Sequence, residues 1–229
     1  MMSREGRGTS EFRVCADPLR ALARAFAELV ASLERPCVAL SGGSTPKSLY
    51  ILWATEYRTS LPWASMHLFQ ADERCVPPGD PASNWRLLNE TLLKAVPETH
   101  AYRIEAERPG AAEAYETILR QHVPAGEDGV PRLDLALLGM GADGHTASLF
   151  PGTPALDQRE RLVVRNDAPQ LQPARITLTF PVLEAARHRW FLVTGRDKAD
   201  AVAAAKARAN PAGRLDALWF LDGEAASRL

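Results

Sequence analysis

Histidine and aspartate stand two residues apart in the stretch GMGADGHTASLFPG, residues 139–152. An imidazole titrates near neutral pH and can take a proton from water, while a nearby carboxylate can orient the ring. Asp143 and His145 therefore form a candidate general-base pair in a loop that follows a β-rich apolar run. An isolated histidine is more often structural, but the glycine-rich loop around His145 favours a functional role.

The same loop contains the spacing G-x-G-x-x-G at Gly139, Gly141 and Gly144. A dinucleotide-binding turn opens a crossover helix and places only small or apolar residues against the pyrophosphate. Here Pro151 ends any helix early, and Asp143 would bring a carboxylate to the pyrophosphate. The spacing therefore does not predict a nicotinamide or flavin site.

A second glycine-rich stretch, SGGSTPKSLY at 41–50, lies between a β-rich run and a predicted helix. Gly42 and Gly43 allow close approach to backbone N–H groups, and Ser44 and Thr45 add hydroxyl donors, which favours a phosphate site. The alternative is a tight turn, and we expect Ser44 or Thr45 to cap the helix in either case. The stretch lacks the G-K-[ST] ending of a nucleotide P-loop.

The stretch ADERCVPPGDPASNW, residues 71–85, places the charged run 72–74 at the end of a predicted strand. On charge alone we favour a solvated turn, with Ser83 or Asn84 capping the next helix. The alternative is a functional site, because ligands of α/β sheets bind beyond the carboxyl ends of the strands.

Two basic residues also stand next to predicted strands. Arg175 begins the run RITLTF, and Lys198 follows the run WFLV through the glycine turn of TGRDKA. A positive charge in the first turn of a helix is unfavourable for the helix dipole. A bound anion would explain the position of Lys198.

The elements that must position these residues alternate along the chain. The predicted strands are 12–15, 37–40, 66–69, 133–138, 162–164, 176–179, 190–193 and 217–221. The predicted helices are 19–33, 46–54, 84–95, 111–122 and 198–208. Such alternation predicts an α/β fold with a mostly parallel sheet covered by helices on both faces.

Composition limits the possible partners and compartments. The 229 residues are 46% hydrophobic and 24% charged, which predicts one globular domain over residues 1–229. A formal net charge of -1 gives no positive field for nucleic acid. Three cysteines without metal-type spacing, and no signal peptide or membrane-length apolar run, predict a cytoplasmic protein without a membrane partner.

Five motifs together carry a resemblance to a known family. LSGGSTPKSLY, DERCVPPGDPASNW, GMGADGHTASLFPG, RITLTFPVL and FLVTGRDKA resemble, in order, the signatures of the 6-phosphogluconolactonase family. The resemblance implies a three-layer α/β/α sandwich, similar to glucosamine-6-phosphate deaminase, ribose-5-phosphate isomerase and the CoA transferases. It also implies hydrolysis of 6-phospho-D-glucono-1,5-lactone to 6-phosphogluconate, the second step of the oxidative pentose phosphate pathway.

The resemblance further implies a role for each candidate residue. His145 would be the base that activates water, supported by Asp143, and Arg74 would polarise or steady the substrate near the carbonyl. Asp72 and Asn84 would bind hydroxyls or orient catalytic groups. The residues implied to hold the phosphate are Gly42, Gly43, Ser44, Thr45, Arg175 and Lys198.

A reactive δ-lactone needs a general base and oxyanion donors but no covalent nucleophile. The chain has no G-x-S-x-G elbow, no H-E-x-x-H helix and no paired-cysteine metal site, so we expect no metal and no cofactor. The expected partner is a sugar phosphate lactone, and the expected assembly is a monomer or a weak dimer.

Two alternatives remain. The first is a sugar-phosphate isomerase or deaminase of the same fold, but the related deaminase loop reads G-H-x-A-x-N-E-P-G, and Phe150 replaces its proton-moving glutamate. The second is a non-catalytic sugar-phosphate sensor, which would not need His145 together with Asp72 and Asp143.

Overall fold

The computed structural model describes residues 9–167 and 172–229, in which ten strands and six α-helices are assigned. The strands are β1 (Glu11–Val14), β2 (Cys37–Leu40), β3 (His67–Gln70), β4 (Asp72–Arg74), β5 (His100–Tyr102), β6 (Leu135–Leu138), β7 (Val163–Asn166), β8 (Arg175–Leu178), β9 (His188–Val193) and β10 (Leu218–Leu221). The helices are α1 (Pro18–Ala31), α2 (Ser44–Glu56), α3 (Asn84–Leu88), α4 (Ala111–His122), α5 (Phe180–Ala185) and α6 (Ala199–Lys206).

Seven strands form a parallel sheet in the order β1-β10-β9-β6-β2-β3-β5. The central strands β2, β3 and β6 are buried along their whole length, as expected for parallel strands with both faces covered. A second, antiparallel sheet has the order β4-β8-β7.

Helices pack on both faces of the seven-stranded sheet. Successive strand residues point to opposite faces, so Val38 joins the core under α1 and α2, while Ala39 joins the core under α4, α5 and α6. The predicted α/β/α sandwich with a mostly parallel sheet is therefore confirmed. No helix in the described ranges is long and apolar enough to cross a membrane.

Four elements differ from the prediction. β4 carries the charged run 72–74, which we expected to form a turn, and β5 is a short edge strand with no apolar alternation. α5 was not predicted. It begins two residues after the end of β8, so in the sequence its apolar residues read as a continuation of that strand. The predicted helix 84–95 divides into α3 and a π-helical turn, Asn89–Leu93.

The sheet brings the glycine-rich loops to one edge. β6, β2 and β3 are adjacent and parallel, and the chain leaves them through residues 139–152, 41–45 and 71–72. β9 borders β6 and leads through Thr194 and Gly195 to Lys198. The carboxyl ends of four neighbouring strands therefore surround one space.

Tyr50 anchors the loop that follows β2. This side chain is fully buried in α2, and its hydroxyl donates to the carbonyl oxygen of Ser41 at 2.5 Å. Burial raises the pKa of the phenol far above its ordinary value, so the group remains a hydrogen-bond donor. The start of the glycine-rich turn is thus held to the helix that the turn opens.

Replacing Tyr50 with phenylalanine removes this hydroxyl and leaves the Ser41 carbonyl without its donor. We expect Tyr50→Phe to lower the free energy of unfolding by about 1–3 kcal/mol, measured by urea denaturation. Tyr57→Phe is the matched control, because Tyr57 ends the same helix and its hydroxyl makes no hydrogen bond within the described residues. Equal losses in the two variants would contradict the anchoring role.

Candidate active site

A cleft of about 430 Å³ opens at this edge of the sheet. It is lined by every residue predicted for the site except Asp143, which contacts His145 instead. The predicted residues that line it are Gly42, Gly43, Ser44, Thr45, Asp72, Arg74, Asn84, His145, Arg175 and Lys198. The structure therefore brings together residues that the sequence distributes over 157 positions.

His145 and Asp143 form a direct hydrogen bond, with 2.5 Å between Nδ1 and Oδ1. Oδ1 also accepts from the backbone N–H of His145 at 3.1 Å. Burial raises the pKa of Asp143, but the hydrogen bonds and charge of His145 outweigh it and the net pKa lies below its ordinary value. Because an ionised carboxylate only accepts, Nδ1 carries the proton of the neutral ring, and the lone pair of Nε2 remains available as a base.

Packing also determines where the imidazole lies. The ring of Phe150 stacks on it with 4.0 Å between centroids and 25° between planes. A Cβ atom on Gly141 would lie 2.1 Å from Nδ1, so glycine is needed there for the ring to occupy this position. The sequence motif contains both residues, but only the structure shows that they constrain the base.

The start of α2 is not capped by a side chain, so the expected capping by Ser44 or Thr45 is wrong. Gly43 occupies the N-cap position with φ of +119°, which places both hydroxyl residues inside the helix. The first-turn N–H groups are therefore not used by a cap and can bind an anion. The Thr45 hydroxyl lies 3.3 Å from that of Thr194, a cleft residue that sequence reasoning missed.

Three cationic side chains line the cleft. Lys198 contacts Asp197 at 3.1 Å and is 25% exposed. Arg74 and Arg175 are direct partners across β4 and β8. Like charges in that arrangement repel each other, and burial together with the charge of Arg74 lowers the pKa of Arg175. A bound anion would relieve this repulsion.

The charged run 72–74 is not the solvated turn that we favoured from charge alone. Asp72 and Glu73 are only 6% and 2% exposed. Asp72 Oδ1 accepts from Nδ2 of Asn84 at 3.3 Å, and Oδ2 accepts from the Ser148 hydroxyl at 2.6 Å. Hydrogen-bond donors from other parts of the chain therefore compensate for the burial of the carboxylate.

Glu73 accepts five hydrogen bonds, of 2.7 to 3.0 Å. Its donors are Gln70 Nε2, Ser83 Oγ and the backbone N–H groups of Arg74, Asn84 and Trp85. The carboxylate thereby ties β4 to the start of α3, where Ser83, one of the two predicted capping residues, is the N-cap. Sequence reasoning missed this role, whose only signal was a glutamate ahead of a polar helix start.

Asn84 reaches the cleft because of this arrangement. Its Nδ2 donates to the Asp72 carbonyl at 3.0 Å, and its Oδ1 has no hydrogen-bond partner in the described part of the chain. A Cβ atom on Gly42 would lie 1.8 Å from Oδ1, so Gly42 is required for the close approach of these two loops. Within the described residues, no cluster of three or more His, Cys, Asp or Glu could hold a metal ion.

The fold is an α/β/α sandwich around a parallel sheet, and one cleft contains an uncapped helix start, three cationic side chains and a histidine–aspartate pair. The profile of the family described as glucosamine-6-phosphate isomerases/6-phosphogluconolactonase matches residues 10–219. The chain belongs to this family, which confirms the resemblance inferred from the five motifs.

Individual relatives agree with the family assignment. The 6-phosphogluconolactonase of Mycobacterium tuberculosis is 37% identical over 226 residues, which cover 91% of each chain. The Oryza sativa subsp. japonica protein named probable 6-phosphogluconolactonase 3, chloroplastic, is 42% identical over 191 residues, covering 79% of this chain. The chain spans only 58% of the length of that chloroplastic relative.

A solved structure gives the same result for the fold. The crystal structure of 6-phosphogluconolactonase from Leishmania guyanensis has a TM-score of 0.85 and 26% identity. The match covers 96% of this chain and 98% of that chain.

The Glu73 network yields a prediction about stability. Glu73→Gln replaces an acceptor oxygen with an N–H₂ group that faces donors, and we expect a loss on the order of 3 kcal/mol in unfolding free energy. Glu90→Gln is the control, because within the described residues Glu90 makes only an exposed ion pair with Arg86, worth at most about 1 kcal/mol. Urea denaturation of both variants measures the difference, and a Glu73→Gln variant as stable as the control would contradict the network's role.

Proposed function

We propose that this chain hydrolyses 6-phospho-D-glucono-1,5-lactone to 6-phosphogluconate in the oxidative pentose phosphate pathway. The observation that carries the proposal is the hydrogen bond between Asp143 and His145, which leaves a basic nitrogen beside a cationic cleft. The names of the relatives and of the structural neighbour support the same reaction.

In the proposed mechanism, Nε2 of His145 takes a proton from a water molecule as its oxygen attacks the lactone carbonyl carbon. The carbonyl oxygen becomes an oxyanion in the tetrahedral intermediate. When the intermediate collapses, the bond to the ring oxygen breaks, and the imidazolium returns its proton to that oxygen. Asp143 stabilises the imidazolium between the two steps.

Other residues of the cleft bind and orient the sugar in this proposal. Arg74, whose buried Nε has no partner among the described residues, is assigned to the carbonyl end of the lactone. Asp72 and Asn84, which are hydrogen-bonded to each other, would bind sugar hydroxyls or orient catalytic groups.

The phosphate is assigned to the start of α2 together with two cations. The turn residues are Gly42, Gly43, Ser44 and Thr45, and the cations are Arg175 and Lys198. Binding the phosphate away from the reacting carbon aligns the lactone with the base and supplies binding energy for orientation. This arrangement requires neither a metal ion nor a cofactor.

Phe150 argues against the alternative of an isomerase or deaminase. Its ring stacks directly on His145, where a second proton-transfer group would be needed for ring opening. An apolar ring cannot move a proton. A non-catalytic sugar-phosphate sensor would gain nothing from the hydrogen bond between His145 and Asp143.

We infer one domain over residues 1–229, a cytoplasmic location, and a monomer or weak dimer that binds neither nucleic acid nor membrane. The absence of a net positive charge supports the lack of a nucleic-acid partner.

Replacing His145 tests its role as the base. We expect His145→Asn to lower kcat by about 100-fold or more with an unchanged Tm, because general-base catalysis contributes about 10²–10⁴-fold. Freshly generated lactone is followed against its spontaneous hydrolysis, with EDTA present because the mechanism uses no metal. His188→Asn, at an exposed position in β9, should retain full activity.

Three results would count against this role of His145. They are an unfolded variant, a His145→Asn variant with full activity, and loss of wild-type activity in EDTA that added zinc restores.

Replacing Lys198 tests its role in binding the phosphate. Lys198→Ala removes a charge-assisted contact of about 1.5–3 kcal/mol, so kcat/KM for the phosphorylated lactone should fall about ten- to 150-fold. The unphosphorylated lactone cannot make this contact, and the wild type and the variant should process it equally poorly. Lys206→Ala, at an exposed position in the last turn of α6, is the control and should behave as wild type. Equal losses on both substrates would assign Lys198 to folding or to the lactone end of the cleft.

A further inference from the structure

Ser148 joins the loop that carries the base to the small antiparallel sheet. The residue is 1% exposed and lies three positions after His145. Its N–H donates to Oγ1 of Thr177 at 3.1 Å, its carbonyl accepts from Nδ2 of Asn166 at 2.8 Å, and its hydroxyl donates to Oδ2 of Asp72 at 2.6 Å. One residue thus contacts β8, β7 and β4.

The three contacts have different chemical character. The two backbone contacts do not depend on the type of side chain at position 148, and both partners are themselves buried. The hydroxyl contact is a short, charge-assisted hydrogen bond to a carboxylate. Of the described residues, only Ser148 donates to Oδ2 of Asp72. Removing the hydroxyl therefore changes the environment of Asp72 and leaves the loop attached.

The backbone between His145 and Ser148 also depends on this attachment. Ala147 has φ of +48°, a conformation that non-glycine residues rarely adopt. Ala147, Ser148 and Asp72 all line the cleft. The loop thus takes an unfavourable backbone conformation between the base and the point where it is fastened to β4.

We propose that Ser148 is a positioning residue that acts through Asp72, setting the carboxylate relative to His145 for lactone hydrolysis. The inference rests on the proposed function. The Ser148 hydroxyl binds Oδ2 and Asn84 binds Oδ1, so the two donors together determine how the carboxylate plane faces the cleft. Without the hydroxyl, the hydrogen bond from Asn84 at 3.3 Å alone restrains rotation of the carboxylate about its Cβ–Cγ bond, and the aligned geometry is populated less often.

The direct test is Ser148→Ala, assayed by steady-state hydrolysis of 6-phosphogluconolactone. We expect kcat to fall about ten- to 100-fold with KM within about threefold of wild type, because the phosphate contacts are untouched and alignment is lost. Thr146→Val is the matched control. Thr146 lies in the same loop, is fully buried, and its hydroxyl has no partner within the described residues, so this variant should keep the wild-type kcat.

A double-mutant cycle separates action through Asp72 from a structural effect. In an Asp72→Asn background the carboxylate is already gone, so adding Ser148→Ala should change kcat by less than about threefold. Independent losses that multiply would contradict action through Asp72. If Ser148→Ala loses structure, Ser148→Cys, which fills the space with a weak donor, replaces it in the cycle.

The outcomes distinguish this inference from the proposed function. If the unaltered protein does not accelerate hydrolysis of the lactone, the proposed function is wrong and the inference falls with it. If the unaltered protein is active and Ser148→Ala matches it in kcat, only the inference is overturned. A lower kcat with unchanged KM, absent from Thr146→Val, supports it.

Discussion

The hydrogen bond between Asp143 and His145 is the interaction on which the catalytic proposal depends. A histidine can act as a base only through a nitrogen that carries no proton, and the carboxylate at Nδ1 selects Nε2 for that role. Phe150 stacks on the ring, and the absence of a side chain at Gly141 leaves room for it. The loop that contains all four residues directly follows β6, a buried central strand. The start of this loop is therefore anchored in the core.

Buried carboxylates organise the rest of the cleft. Glu73 ties β4 to the start of α3, and Asp72 connects that unit to the loop of His145 through Ser148. Burying these two carboxylates costs free energy. The hydrogen bonds that they accept offset this cost only when β4, α3 and the loop of His145 lie in the positions seen in the structure. The same contacts that stabilise the small sheet therefore also set the position of Arg74 opposite Arg175.

The sequence predicted the sheet, the loops at the carboxyl ends of its strands and most of the polar residues of the cleft, because glycine, hydroxyl and charged residues follow strands with strong apolar patterns. It did not predict β4, whose charged residues pair only with distant β8. Nor did it predict the contact between Ser148 and Asp72, which are 76 positions apart. Hydrogen bonds between residues far apart in the chain produce no periodic pattern in the sequence. The cap of α2 was predicted wrongly because Gly43, and not Ser44 or Thr45, occupies the N-cap position.

His145 can accept a proton from water in the cleft only if its Nε2 is unprotonated. Nitrogen-15 NMR of histidine-labelled protein, with the signals assigned by comparison with His145→Asn, measures the tautomer directly. At a pH where the ring is neutral, we expect a protonated Nδ1 and an unprotonated Nε2. A proton on Nε2 of the neutral ring would contradict it, because that nitrogen could not then accept a proton from water.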